Sequence, residues 1–143
     1  MLGGFIIFTI DSKNNFPIYK QIINSVKESI IKGMILPGDK LPSVRELAKL
    51  LTTNPNTVSK AYNELERMHI IETLRGKGTF VAIDYIPKIE AGNMLKLKDE
   101  IKKVLMDAHY MGLKKDDING IFNELYDELL NDKDTNITKE DTV

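Results

Sequence analysis

The chain has 143 residues, 42% hydrophobic and 29% charged, enough for one domain or one domain with an appendage and for a modest core. It has no cysteine and two histidines, His69 and His109, which excludes a disulfide framework, a thiolate nucleophile and a cysteine- or multi-histidine-ligated metal site within one chain. The net charge of −1 conceals a split: residues 1–83 carry eleven Lys/Arg against seven Asp/Glu and residues 84–143 nine against fourteen, so only the first part is suited to face a polyanion.

Residues Met1 to Ile10 are apolar but lack the basic segment and small-residue cleavage site of a signal peptide. No apolar run approaches the roughly 20 residues that span a bilayer, so the expectation is a cytoplasmic protein with no membrane segment. Phe5 to Ile10 is β-branched and aromatic and predicts a short strand, broken by Asp11-Ser12-Lys13-Asn14-Asn15. Pro17 then suits the start of a helix. Ile18, Ile22, Val26 and Ile30 recur every four residues, Ile23 and Ile31 widen the stripe, and Gly33 supplies the stop.

Ile35 to Pro42 reads as a turn-rich connector, with Pro37-Gly38 as a tight turn and Pro42 disfavouring helix at Leu41. Ser43 and Glu46 have capping-box spacing, and Val44, Leu47, Ala48 and Leu51 give the short helix that follows a buried face. Thr52-Thr53 interrupts it. Asn54 as N-cap and Pro55 at the first helical position open another helix, whose buried stripe is Val58, Ala61, Tyr62 and Leu65 and which runs to about Met68. Two short helices with so brief a break predict a helix-turn-helix. Ile71 to Leu74, the glycine turn Arg75-Gly76-Lys77-Gly78 and the β-rich Thr79 to Ala82 predict a hairpin, completing a winged helix-turn-helix.

Residues 1–83 therefore form the first domain, and the composition changes at Asp84, where Pro87 and Gly92 mark a linker over 84–93. Leu97, Ile101, Val104, Leu105 and Ala108 form one further apolar stripe, ending near Gly112. Ile118, Ile121, Phe122, Leu125 and Leu129 form another, on a helix whose start suits the carboxylates of Asp116 and Asp117. The expectation for 94–131 is an αα-hairpin that cannot bury both stripes alone and dimerises through them. Residues 132–143 are polar and are expected to be a disordered tail. The fold class is mainly α (α+β).

In a helix-turn-helix the second helix enters the major groove with its N-terminal residues against base edges. Here those are Asn54, Asn56, Thr57, Ser59 and Lys60. Asn reads adenine, Ser and Thr contact bases or phosphates, and Lys60 suits a phosphate or guanine. For Asn54 capping alone is a sufficient account. Arg45 faces away from Val44, Leu47 and Ala48 and is placed to clamp a phosphate or reach a base, the alternative partners being Glu46 or solvent. Arg75, Gly76, Lys77 and Gly78 offer two cations on a backbone able to approach a sugar-phosphate closely, as wings in minor grooves do. His69 is expected to pack at the start of the wing, and His109 to be a surface or interface residue. No carboxylate pairing or phosphate-loop spacing points to an enzyme, and no cofactor or metal is expected.

Leu36-Pro37-Gly38-Asp39-Lys40-Leu41-Pro42-Ser43-Val44-Arg45-Glu46-Leu47-Ala48 resembles the N-terminal signature of the GntR family of bacterial transcription regulators. Asn54 to Glu66 and Arg75-Gly76-Lys77-Gly78-Thr79-Phe80-Val81 extend the match over about Pro17 to Ala82. The Asn-Pro-Asn-Thr-Val variant and the two-helix tail are similar to the YtrA subfamily. The resemblance implies a homodimeric repressor that binds double-stranded DNA at an inverted repeat through Arg45, Asn54, Asn56, Thr57, Ser59, Lys60 and the wing tip 75–78, with control of a transporter operon as a further implication. Many relatives carry Arg where this chain has Pro55 and Ser59, so the base contacts of those arginines do not carry over. Two other readings remain at this point: a winged-helix protein–protein module, and a regulator with an effector pocket among its C-terminal helices.

Overall fold

The computed structural model describes Phe8 and residues 10–131, in two units that divide between Tyr85 and Ile86. In the first, helix α1 (Ile18–Ile31) follows Pro17 and ends before Gly33, whose φ of +74° is the left-handed conformation that closes a helix without a Cβ penalty. Ile22, Ile23 and Val26 are buried, while Ile18 and Ile31 at the ends of the stripe stay exposed and Ile30 packs against the core. Gln21 is buried as well, a position the apolar periodicity leaves unmarked. Its Oε1 accepts from the Asp11 N–H at 2.9 Å, and its Nε2 donates to the carbonyls of Asp11 (3.0 Å) and Phe16 (2.9 Å), pinning the preceding loop to α1.

Helix α2 (Val44–Leu50) begins with the expected capping box: the Ser43 hydroxyl accepts from the Glu46 N–H at 3.2 Å and the Glu46 carboxylate from the Ser43 N–H at 3.4 Å. Thr52, at φ +50°, turns the chain, and helix α3 (Pro55–Arg67) starts on Asn54. Val58, Ala61, Tyr62 and Leu65 are buried, and α1 and α2 both pack on α3. The Tyr62 hydroxyl donates to the Pro42 carbonyl at 2.6 Å, which ties α3 to the turn before α2.

Three strands complete this unit: β1 (Lys40–Leu41), β2 (Ile71–Leu74) and β3 (Gly78–Val81), antiparallel in the order β1-β3-β2. The connector 35–42 is thus not wholly irregular. Leu41 pairs with Thr79 and Lys40 with Phe80, and the Gly38 N–H and Asp39 carbonyl extend the pairing to Val81 at 2.8 Å each. So short a strand carries no periodicity of its own; its partner, some forty residues on, creates it. Of the strand expected over 5–10, only Phe8 and Ile10 are described. Phe8 is buried in the core, Ile10 packs against it, and neither is in a strand.

In the second unit α4 (Ala91–Tyr110) and α5 (Lys115–Leu130) flank a turn in which Gly112 takes φ +83°. The linker expected over 84–93 is shorter than that, because Ala91 to Asn93 are helical. Gly92 lies in the first turn, where N–H groups lack intrahelical partners in any sequence. The Asp117 carboxylate accepts from the Lys114 N–H at 2.8 Å, fixing the start of α5. The tail expected over 132–143 lies outside the described residues. No helix among the described residues is long and apolar enough to cross a membrane.

Candidate nucleic-acid interface

The start of α3 is built by its own sequence. Asn54 stays extended (φ −68°, ψ 132°), and its Oδ1 accepts from the Asn56 N–H at 2.8 Å. That oxygen caps α3, while the Asn54 side-chain N–H groups make no hydrogen bond among the described residues. The side-chain amide of Asn56 is exposed and makes no hydrogen bond among the described residues. With Val58, Ala61, Tyr62 and Leu65 inward at about 100° per residue, the outward face carries Asn56, Lys60, Asn63 and Arg67 at spacings of four, three and four. Thr57 and Ser59 are half-buried on its flanks.

Asn63 and Arg67 extend this stripe beyond the residues expected from the helix-turn-helix pattern, which marks only the first turns. Arg67 is paired within the helix, its guanidinium 3.0 Å from the Glu64 carboxylate. Lys60 has a different neighbour. Its ammonium lies 3.9 Å from the centre of the Tyr19 ring on α1, a contact between residues remote in sequence.

Arg45, at the start of α2, is exposed and in no ion pair among the described residues. The wing tip is a turn closed by the Lys77 N–H on the Leu74 carbonyl at 2.9 Å, with Gly76 at φ +76°. Arg75 and Lys77 are exposed there, again in no ion pair among the described residues. Gly78 takes φ +118°, a conformation that residues with a Cβ rarely adopt, and a Cβ on it would stand 2.9 Å from Lys40 Cε, the far end of a flexible side chain that can move aside. The Lys40 side chain thus reaches the wing-tip end of β3 and adds a third cation there. Only the β1–β3 pairing brings it there.

The expected packing of His69 at the start of the wing is not observed. Its backbone takes the left-handed φ of +58° that reverses the chain after α3, which leaves the imidazole exposed. His109 is exposed with its ring edge-on to Tyr110 at 5.8 Å. Burial pushes the Tyr62 phenol above its ordinary range, and the Glu46 carboxylate pushes it further in the same direction. No group of His, Asp or Glu among the described residues is arranged to hold a metal.

In the second unit Leu97, Ile101, Val104, Ala108, Ile118, Ile121, Phe122 and Leu125 line one open groove of about 500 Å³ between α4 and α5, with Met111 and Leu113 at the turn and Glu100 and Asp107 as its charged members. Leu105 and Leu129 belong to the two stripes but not to the groove lining. Among the described residues of this unit Ala108 alone is buried.

Residues 18–81 match the family model described as bacterial regulatory proteins, gntR family. Over 116 residues, 81% of this chain and 89% of its relative, the sequence is 48% identical to the HTH-type transcriptional repressor YtrA of Bacillus subtilis (strain 168). The chain belongs to the GntR family. A crystal structure described as a transcriptional antiterminator from Listeria monocytogenes EGD-e superimposes with a TM-score of 0.79 at 37% identity, covering 86% of this chain and 92% of that one. YtrA from Sulfolobus acidocaldarius, described as a GntR-family transcription factor, gives 0.50 at 36% identity over 85% of this chain and 97% of that one. This GntR chain is therefore a winged-helix transcription regulator with α-helices C-terminal to the wing.

Proposed function

We propose that this GntR chain is a sequence-specific DNA-binding repressor that acts in the cytoplasm as a homodimer on an inverted-repeat operator. The observation that carries the reading is the face of α3 opposite its buried stripe: Asn56, Lys60 and Asn63 are exposed there, in the same unit as the cations Arg45, Lys40, Arg75 and Lys77. Asn56, Asn63 and Lys60 read bases, with Thr57 and Ser59 at the flanks, and Asn54 serves α3 as its cap. Arg45 and the wing tip 75–78 hold the phosphate backbone.

The second unit supports the homodimer. Two helices with one buried residue between them have no core of their own, and a second copy of the same apolar face supplies the missing half. Two recognition helices would then meet major grooves about one helical turn (roughly 34–36 Å) or a multiple apart. Bound to its operator, the dimer blocks transcription, and the likeness to YtrA-type regulators extends the reading to a transporter operon. The test is selection of bound duplexes from random DNA at two salt concentrations. A two-fold symmetric site with a steep salt dependence is expected. Selection of an asymmetric site, or of none, overturns the reading.

A further inference from the structure

We propose that Glu66, Thr73 and Thr79 form a positioning relay that sets the wing against α3, and so fixes where on a duplex the wing cations fall relative to the bases read by the helix. The proposal rests on the DNA-binding reading above. The Thr73 hydroxyl on β2 donates to the Glu66 carboxylate in the last turn of α3, and its oxygen lies 3.3 Å from the Thr79 hydroxyl on β3. A carboxylate only accepts, and Thr73 has a single proton, which it gives to Glu66. The Thr79 hydroxyl is therefore the donor to Thr73, and the chain has one direction: Thr79 to Thr73 to Glu66.

Register makes this possible. Thr73 and Thr79 are directly opposed in the β2–β3 ladder, so both hydroxyls leave the sheet on one face. Thr79 is 9% exposed, so the relay is anchored in the protein rather than at the hairpin tip. The chain between α3 and β2 turns at His69 with φ +58°, and beyond it two short strands carry Arg75 and Lys77. A small hairpin is only marginally ordered by its own ladder, and a side-chain tie to α3 removes one way for it to swing. The relay also accounts for a carboxylate in the unit that faces a polyanion. Glu66 acts there through the wing and not by touching DNA, so it is a positioning residue.

The test is a double-mutant cycle with the full-length protein on the duplex that the wild type selects. Glu66→Leu and, separately, Thr73→Val, which keeps the β-branch and removes only the hydroxyl, should each weaken binding by about five-fold per half-site, the worth of one net hydrogen bond in each copy. In the background Arg75→Ala plus Lys77→Ala the same changes should have a much smaller effect, because Lys40 is then the only wing cation left to position. Glu66→Gln, whose Oε1 still accepts from Thr73, should bind like the wild type. Equal losses in both backgrounds, or no loss in the wild-type background, overturn the relay while leaving DNA binding intact. A wild type that binds no duplex overturns the DNA-binding reading instead. Backbone ¹⁵N relaxation at Arg75 to Lys77 then decides the relay without DNA: added mobility in Thr73→Val supports it, and unchanged order overturns it.

Discussion

The ammonium of Lys60 lies 3.9 Å from the centre of the Tyr19 ring, so α1 holds the one cation in the first half of the exposed α3 face. An ammonium has three N–H donors, and stacking on a ring leaves donors free for a phosphate or a guanine. Tyr19 thus keeps a flexible side chain in place before DNA arrives. Tyr19→Leu should weaken binding by about 0.5–1 kcal/mol, the worth of an exposed cation–π contact, and Tyr19→Phe should not. Fluorescence anisotropy at fixed salt checks this. Tighter binding by Tyr19→Leu would show that the ring competes with DNA for Lys60.

The wing makes a prediction about salt. Arg75→Ala plus Lys77→Ala should weaken binding to any sequence and lower the slope of log K against log salt by roughly 3.6 for the dimer, because two phosphate contacts are lost from each copy and each contributes roughly 0.9. Lys40→Ala should lower it by about 1.8, one contact being lost from each copy. Gly78→Ala should cost more than its size implies, since φ +118° disfavours any Cβ and Lys40 Cε would have to move aside. Affinities measured at several salt concentrations give all three results. An unchanged slope in the double variant would remove the wing from the interface.

The two asparagines at the head of α3 should separate into different roles. Asn54→Ala should cost about 1 kcal/mol of stability with Asn54→Asp close to neutral, because the Oδ1 that caps Asn56 is what matters. Asn56→Ala should leave stability unchanged and cost about 1–3 kcal/mol at one base position. Urea denaturation alongside binding to a panel of single-base operator variants distinguishes them. A uniform loss for Asn56→Ala across the panel would assign it to the backbone.

Which elements were legible in the sequence follows from where their signals lie. The capping box at Ser43 and Glu46, the Asn54-Pro55 helix start and the buried set Val58, Ala61, Tyr62 and Leu65 are local patterns, and each stands where it is expected. Strand β1, the Lys60–Tyr19 contact, the crossing of Lys40 over Gly78 and the Glu66–Thr73–Thr79 chain are not local. Each joins residues from different elements, and no periodicity within one segment encodes such a pair. Gln21 was hidden for another reason. A polar residue is buried when its partners are backbone groups, here those of Asp11 and Phe16, and backbone leaves no mark in sequence.

Tyr62 couples stability to alkaline pH. Its phenol is raised above the ordinary value near 10 by burial first and by the Glu46 carboxylate second. The folded state therefore holds this proton after the unfolded chain has released it. The sign follows: the contribution is complete below about pH 10 and is lost as pH rises through the folded-state value. Tyr62→Phe leaves the buried Pro42 carbonyl without its donor and should cost about 1–3 kcal/mol at neutral pH. It should also flatten the fall of the urea midpoint above about pH 10. Parallel falls in wild type and variant would mean that other groups govern alkaline unfolding.

The second unit is where oligomeric state and folding become one measurement. Phe122 is 48% exposed, Leu125 51% and Leu97 50%, values foreign to the core of a stable helical hairpin. Covered by a second copy, these side chains would supply the apolar burial that α4 and α5 lack, so the melting temperature of the full chain should rise with protein concentration. Phe122→Glu places a charge in that face, where desolvation is costly. It should give a monomer by sedimentation equilibrium and reduce the helical circular dichroism signal, with the first unit keeping its ¹H–¹⁵N spectrum. Operator affinity should drop by about 10² or more, because the second half-site is no longer tethered to the first. A monomeric wild type with intact α4 and α5 would contradict this account, since those helices would then be stable without the burial that only a partner provides.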